Sequence, residues 1–213
     1  MHPQKNITMI NFKQRIEACL RHVCNTNNKE QNFQGRLYAF LLSLEQEGYI
    51  VEMETSIRDE HLKPIFENID FSQFAKREMD ILVYKPDFSE IYAAELKWIY
   101  HSEVGWNVFD GLEDYKEDAL FCHQLTSIAG FTETCSVVVN DFDDKKRVKS
   151  PRLGDVNSEK RLFVGNDYFN PQIGKINSGN KYEDFKWVPL DLRNNNTQDY
   201  RYYILSFKNP KYE

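Results

Sequence analysis

Asp80, Glu95 and Lys97 are charged residues inside segments that otherwise resemble buried strands. They belong to the stretch REMDILVYKPDFSEIYAAELK at 77–97, with Asp80 on its first apolar run and the other two on its second. Two carboxylates brought together suit a hard divalent cation such as Mg²⁺, which takes carboxylate and phosphate oxygens and keeps several waters. A lysine beside them can orient or deprotonate a water, or neutralise charge that develops on a phosphate under attack. These residue types therefore point to hydrolysis of a phosphodiester.

A β-hairpin would bring the two carboxylates together. The connection KPDFSE supplies Pro, Asp and Ser for a turn centred between positions 87 and 88. In an antiparallel pair with this centre, Asp80 stands opposite Glu95 and Glu78 stands opposite Lys97, all on one face. Opposed side chains have Cβ atoms roughly 5 Å apart, so the carboxylates repel each other unless a cation lies between them. The competing interpretation is a surface hairpin with an exposed polar face and a Glu78–Lys97 pair.

Hydrophobic periodicity predicts the elements around this hairpin. Apolar residues at helical spacing and β-branched or alternating runs give a clear order along the chain. Helices are predicted at 11–24, 32–48 and 110–130, and strands at 49–57, in the two runs of the hairpin, and at 135–142, 186–192 and 200–207. This order is that of an α/β fold.

The size and composition of the chain fit one folded domain. It has 213 residues, of which 41% are hydrophobic and 14% aromatic, enough for a proper core. No apolar run approaches the ~18 residues of a membrane span, and the start of the sequence has no apolar signal region. We therefore expect a cytoplasmic protein without membrane association. Cys19, Cys24, Cys122 and Cys135 show no CxxC spacing, which favours buried thiols over a zinc site or a disulfide framework.

The charge balance argues against strong non-specific binding to polyanions. There are 27 Lys and Arg against 33 Asp and Glu, a net charge of -6. Local patches can still contact phosphates, and the basic residues are densest at Lys145, Lys146 and Arg147, within DDKKRVKSPR. A solvated loop is the alternative interpretation of that run.

The motif and the order of elements resemble the PD-(D/E)xK nuclease superfamily, whose core is that of restriction endonucleases. The matching residues are Asp80, fourteen intervening residues, and then Glu95-Leu96-Lys97, with Met79 where the motif has proline. The resemblance covers about residues 28–142. It implies a restriction-endonuclease-like core: a mixed central sheet, made of a three-stranded antiparallel meander plus a further strand, flanked by helices. Residues 143–213 would be an extension that completes the sheet of a single domain, 1–213.

The resemblance also implies a third acid from the helix before the meander. Glu30 is preferred to Glu45 or Glu47, because its E-x-x-F-Q-x-R-L context is similar to the helix start of uncharacterised bacterial members. Asp80, Glu95 and Glu30 would then bind Mg²⁺ or Mn²⁺, and Lys97 would assist the attacking water.

Candidate substrate contacts follow the motif. The later helix contains a K-D pair, Lys116 and Asp118, for which the resemblance implies a phosphate contact or support of the metal-binding acids. Gln124 is a further polar candidate on the same helix. The full set of candidate substrate-binding residues is Lys116, Gln124, Lys145, Lys146 and Arg147.

Two functions are compatible with this pattern. The first is a metal-dependent nuclease that leaves a 3′-hydroxyl and a 5′-phosphate, acting on DNA rather than RNA, and the resemblance allows for a homodimer. The second is a catalytically silent nuclease-like fold that binds nucleic acid or a protein. A third alternative, an unrelated α/β fold, would separate Asp80 from Glu95.

Overall fold

The computed structural model describes four long parts of the chain and five short strands. The long parts are 9–23, 30–99, 107–141 and 200–212, and the short strands are at 149–150, 154–155, 167–170, 175–178 and 188–189. The helices of these parts are α1 (Phe12–Val23), α2 (Glu30–Leu41), α3 (Lys63–Phe66) and α4 (Asn107–Ser127). Short 3₁₀ helices lie at Leu42–Glu47, Glu60–Leu62, Phe71–Gln73 and Pro210–Tyr212.

The strands form one large sheet and two small ribbons. Their bounds are β1 (Ile50–Ser56), β2 (Glu78–Tyr84), β3 (Ile91–Ile99), β4 (Glu133–Asp141), β5 (Lys149–Ser150), β6 (Gly154–Asp155), β7 (Asp167–Asn170), β8 (Lys175–Ser178), β9 (Val188–Pro189) and β10 (Tyr200–Lys208). The large sheet has the order β1-β2-β3-β4-β10-β9, while β5 pairs with β6 and β7 with β8.

Five long strands and one two-residue edge strand make this sheet mixed. β1, β2 and β3 form an antiparallel meander. β4 runs parallel to β3, and β10 returns antiparallel between β4 and β9. Because β3 and β4 are parallel, α4 serves as their crossover connection. The predicted α/β class, with a meander, a further strand and flanking helices, is confirmed.

The hairpin has the predicted register. Its pairs run from Tyr84↔Ile91 to Ile81↔Ala94, so the next pair in the same register is Asp80 and Glu95. The backbone N–H of Lys85 donates to the carbonyl of Glu90 at 2.9 Å across the turn, and Phe88 adopts a left-handed φ of 55° within it.

Helices cover both faces of the sheet. α1 and α2 bury Phe12, Ile16, Leu37 and Leu41 against one face, which includes Val83, Tyr92 and Ala94. The other face contacts α3, α4 and the loops beside them through a cluster that includes Phe66, Leu82, Ala93, Phe121 and Leu125. A central strand covered on both faces has little access to water. Glu95, which shares a face with Ala93 on β3, is consequently fully buried.

The remaining sequence predictions have mixed outcomes. Cys122 and Cys135 are buried free thiols, and Cys19 is buried as well; Cys24 lies outside the described residues. The second predicted helix, 32–48, is divided: α2 ends at Leu41, and a 3₁₀ helix over Leu42–Glu47 follows, capped by Gly48, whose φ is 81°. In the described parts of the chain, no helix has both the length and the apolar character needed to cross a membrane.

Candidate active site

Asp80 and Glu95 lie where β2 and β3 part. Beyond the last ladder pair, the N–H of Asp80 donates to Glu95 Oε1 at 3.3 Å, and the N–H of Leu96 donates to Asp80 Oδ2 at 2.7 Å. Each carboxylate therefore accepts a hydrogen bond from the neighbouring strand's backbone, in place of a ladder bond. Both side chains are fixed by backbone groups, and the structure brings the two predicted acids together.

Glu30, the first residue of α2, joins this cluster from the opposite layer. Its Oε2 accepts a hydrogen bond from the N–H of Trp98 at 3.0 Å and lies 3.7 Å from Lys97 Nζ. The alternative acid Glu47 instead pairs with Arg15 at 2.7 Å. Of the acids weighed for the third position, Glu30 is thus the one that reaches Lys97.

Lys76 and Asp118 complete the cluster, and sequence reasoning missed the role of the first. Lys76 Nζ lies 2.5 Å from Glu95 Oε2 and 2.6 Å from Asp118 Oδ1, so its ammonium bridges the two acids. Lys76 precedes β2 in an irregular segment, where no periodicity marks it. Asp118 does have a sequence signal, because it is three residues after Tyr115 on the apolar face of α4 and is therefore expected to be buried.

These side chains border one acidic cleft. It has a volume of about 250 Å³ and is lined by Glu30, Lys76, Asp80, Leu96, Lys97, Glu117 and Asp118. Glu95 lies next to it, fully buried and paired with Lys76. Among the described residues, the acids around the cleft therefore outnumber the lysines, and a cation is the ligand that this charge favours.

Burial raises the proton affinity of the acids. It raises the pKa of Asp80, and together with repulsion from Asp80 it raises the pKa of Glu95 well above its usual range. Burial also raises the pKa of Asp118 to about 6, although its ion pair with Lys76 acts in the opposite direction. For Lys76, burial lowers the pKa, but the charges of Glu95 and Asp118 outweigh it and the pKa is raised. Lys76 is therefore charged, while the acids hold protons more tightly than they do in water.

The donor set suits Mg²⁺ or Mn²⁺ in part. The described residues contain no group of three or more His, Cys, Asp or Glu side chains arranged to hold a metal ion. Mg²⁺, however, is commonly bound by one or two carboxylates, with waters and substrate oxygens in its remaining positions. Asp80 and Glu95 meet that requirement, and their raised proton affinity is what a nearby cation would reverse. Glu30 and Asp118 line the same cleft as Asp80 and would lie around such an ion.

Of the candidate substrate-binding residues, only the side chain of Gln124 is among the described ones. Gln124 Oε1 accepts a hydrogen bond from the N–H of Ala75 at 2.8 Å. Gln124 thus contacts the backbone next to Lys76, and its role as a substrate contact stays a prediction. The side chain of Lys116, on α4, lies outside the described residues, and so do Lys145, Lys146 and Arg147.

Asp118 should make the metal-free protein less stable as the pH rises. Its folded-state pKa is raised from 3.8 to about 6, so the folded protein binds the proton more tightly than the unfolded chain. The stability from this proton is present below the unfolded pKa and is lost between about pH 4 and about pH 6, up to roughly 3 kcal/mol. We expect Asp118→Asn to flatten the pH dependence of the free energy of unfolding, measured in urea. Equal slopes for the Asn variant and the parent protein would contradict this assignment.

Comparisons of the chain with family models, with curated proteins and with solved structures found no match in any of the three.

Proposed function

We propose that this protein is a metal-dependent nuclease with a restriction-endonuclease-like core, which hydrolyses phosphodiester bonds in DNA. The observation that supports it most is the pairing of Asp80 and Glu95 at the point where β2 and β3 part, beside Lys97. A buried pair of carboxylates is costly to maintain without a cation, and Asp80 of this pair lines a cleft open to a ligand. Perturbed acids in a cleft are typical of functional sites.

Asp80 and Glu95 would hold the metal ion, with Glu30 and Asp118 around it. When bound, Mg²⁺ supplies charge that stabilises a phosphate under attack and lowers the pKa of a water. The protein's own contribution is to orient the oxygens. The N–H groups of Leu96 and Trp98 fix the carboxylates of Asp80 and Glu30, so little reorganisation is needed during the reaction.

Lys97 would contact the scissile phosphate. Its ammonium lies 3.7 Å from Glu30 Oε2 on the lining of the cleft, where it can donate to a phosphate oxygen or to the attacking water. Glu30 limits the positions that the long lysine side chain samples. Lys145, Lys146 and Arg147 remain proposed contacts to the nucleic-acid backbone, whose charge they match. A homodimer would place two such sites on one duplex.

One observation favours a second function, a catalytically silent fold that binds nucleic acid or a protein. Lys76 already supplies positive charge to Glu95 and Asp118, so these acids are partly neutralised without a metal ion. A binding module could retain the cluster for stability alone.

A cleavage assay separates the two functions. Purified protein is incubated with supercoiled, linear and single-stranded DNA and with RNA, in Mg²⁺ or Mn²⁺, beside Asp80→Asn and Lys97→Met. Glu60→Gln is the matched control, because it also removes one acid but lies on the surface in a pair with Lys63. We expect metal-dependent cleavage by the parent and the control, and its loss in the two site variants.

Two other results would argue against the nuclease. Cleavage that survives in Asp80→Asn and Lys97→Met would come from another site or a contaminant. The absence of cleavage on every substrate, together with the absence of calorimetric Mn²⁺ binding, would favour the binding module.

A further inference from the structure

Lys76 belongs to no sequence motif, yet its side chain pairs with two acids of the cluster. Its ammonium contacts Glu95 at 2.5 Å and Asp118 at 2.6 Å. Glu95 is fully buried, and the side chain of Asp118 is only 6% exposed. Lys76 therefore supplies the positive charge in the most buried part of the cluster. One of its two partners, Glu95, is an acid to which the proposed function assigns a metal ion.

A lysine and a divalent cation would compete for Glu95. Both bind carboxylate oxygens electrostatically, and the Glu95 oxygen that contacts Lys76 cannot also approach an Mg²⁺ ion closely while the ammonium lies against it. Two cations held close together in a partly buried site also repel each other strongly. Occupation by one consequently disfavours occupation by the other.

Lys76 has a route out of the cluster. Its side chain is 31% exposed, and its long stem can carry the ammonium into water while the methylene groups stay in place. The backbone around it is fixed on both sides. The N–H of Ala75 donates to Gln124 Oε1 at 2.8 Å, and the carbonyl of Arg77 accepts from the N–H of Ile57 at 2.8 Å. Exchange therefore requires a swing of one side chain and no movement of a segment.

We propose that Lys76 is an exchangeable counter-ion, which holds Glu95 and Asp118 in the metal-free protein and leaves when a divalent cation binds. This inference rests on the proposed function, since it concerns the same metal ion. The apparent metal affinity then depends on how much more tightly the acids bind the metal ion than they bind the Lys76 ammonium. Lys76 keeps the acids paired at low metal concentration and sets the concentration at which the site fills. Lys76 is thus a regulating residue of the site.

Metal binding to the metal-free protein tests the exchange without an activity readout. Mn²⁺ affinity is measured by calorimetry for the parent protein, Lys76→Met and Lys63→Met. The last is the matched control, because it also removes one positive charge, from an exposed pair with Glu60. We expect Mn²⁺ to bind Lys76→Met at least roughly tenfold more tightly than the parent, since no internal cation opposes it, and the control to bind like the parent.

Amine labelling provides a measurement that does not depend on whether Lys76→Met folds. The parent protein is acetylated with and without Mn²⁺, and the modification of each lysine is followed by mass spectrometry. We expect Mn²⁺ to accelerate labelling of Lys76 several-fold, because its ammonium moves into water, while Lys63 is labelled at an unchanged rate.

The outcomes separate this inference from the proposed function. Mn²⁺ binding to the parent that is not tightened in Lys76→Met, or that leaves Lys76 labelling unchanged, would overturn the exchange and leave the nuclease standing. A failure of both proteins to bind Mn²⁺ would overturn the metal site itself, and the exchange with it. Mn²⁺ binding by Lys76→Met, with none by the parent protein, would also support the exchange, because Lys76 would then keep the metal ion out of the site.

Discussion

Replacement of Glu95 by glutamine should reduce cleavage by roughly a thousandfold or more while leaving the fold in place. Glutamine has the same shape but no charge, so it removes a carboxylate that the proposed reaction uses to hold the metal ion. The change in the free energy of unfolding should stay within about 2 kcal/mol. The lost contact with Lys76 is partly offset, because Glu95 also repels Asp80 and Asp118.

The measurement is cleavage under single-turnover conditions, with urea unfolding of the same samples. Glu90→Gln is an informative comparison for the fold, because Glu90 is also buried, yet it contacts Tyr49 and Tyr92 away from the cleft. We expect Glu90→Gln to lose stability and to keep its activity per folded molecule. A Glu95→Gln protein that is folded and fully active would remove Glu95 from the proposed mechanism.

Replacement of Lys76 by methionine should destabilise the metal-free protein by about 3 kcal/mol at pH 8. Removal of one partner of a buried ion pair typically costs about 3–5 kcal/mol, because the other charge is left without compensation. A loss at the lower end of this range is expected, because the lysine side chain is 31% exposed. The loss should be smaller at pH 5, where Asp118, with its pKa of about 6, can take up a proton and avoid the unpaired charge.

A double variant tests the cause of this loss. In the Lys76→Met background, Asp118→Asn removes one of the two unpaired charges and should recover part of the stability at pH 8, although Asp118→Asn alone removes a partner of Lys76. The measurement is urea unfolding in the presence of a chelator. Additive losses in the double variant would show that the Lys76–Asp118 pair contributes no coupling energy and would contradict the assignment.

The hairpin and its acids could be predicted because local sequence determines them. The turn residues at 85–90 set the register of β2 and β3, and this register fixes which side chain faces which. Asp80 and Glu95 are therefore predictable neighbours from positions in one short stretch. The apolar spacing in α1 and the β-branched run in β4 predict those elements for the same reason.

The ion pairs of the cluster could not be predicted in this way. Lys76 meets Asp118 across 42 positions of sequence, and their contact depends on how α4 crosses between β3 and β4. Glu30 reaches the N–H of Trp98 across 68 positions, and here only a resemblance of the helix start favoured this acid over Glu45 and Glu47. Periodicity identifies the buried face of a helix, but it does not identify which charged side chain on another element meets that face.

The pairing of β4 with β10 has a consequence for how this chain can change. Asp141, the last residue of β4, lies directly opposite Tyr200, the first residue of β10. The chain between positions 142 and 199 connects these two strands and contributes the edge strand β9 to their sheet. The entropic cost of such a connection rises only slowly with its length. That connection carries Lys145, Lys146 and Arg147, whereas the acids of the cleft all precede it. The length of the connection that carries these proposed nucleic-acid contacts can therefore change at little cost to the pairing of β4 with β10.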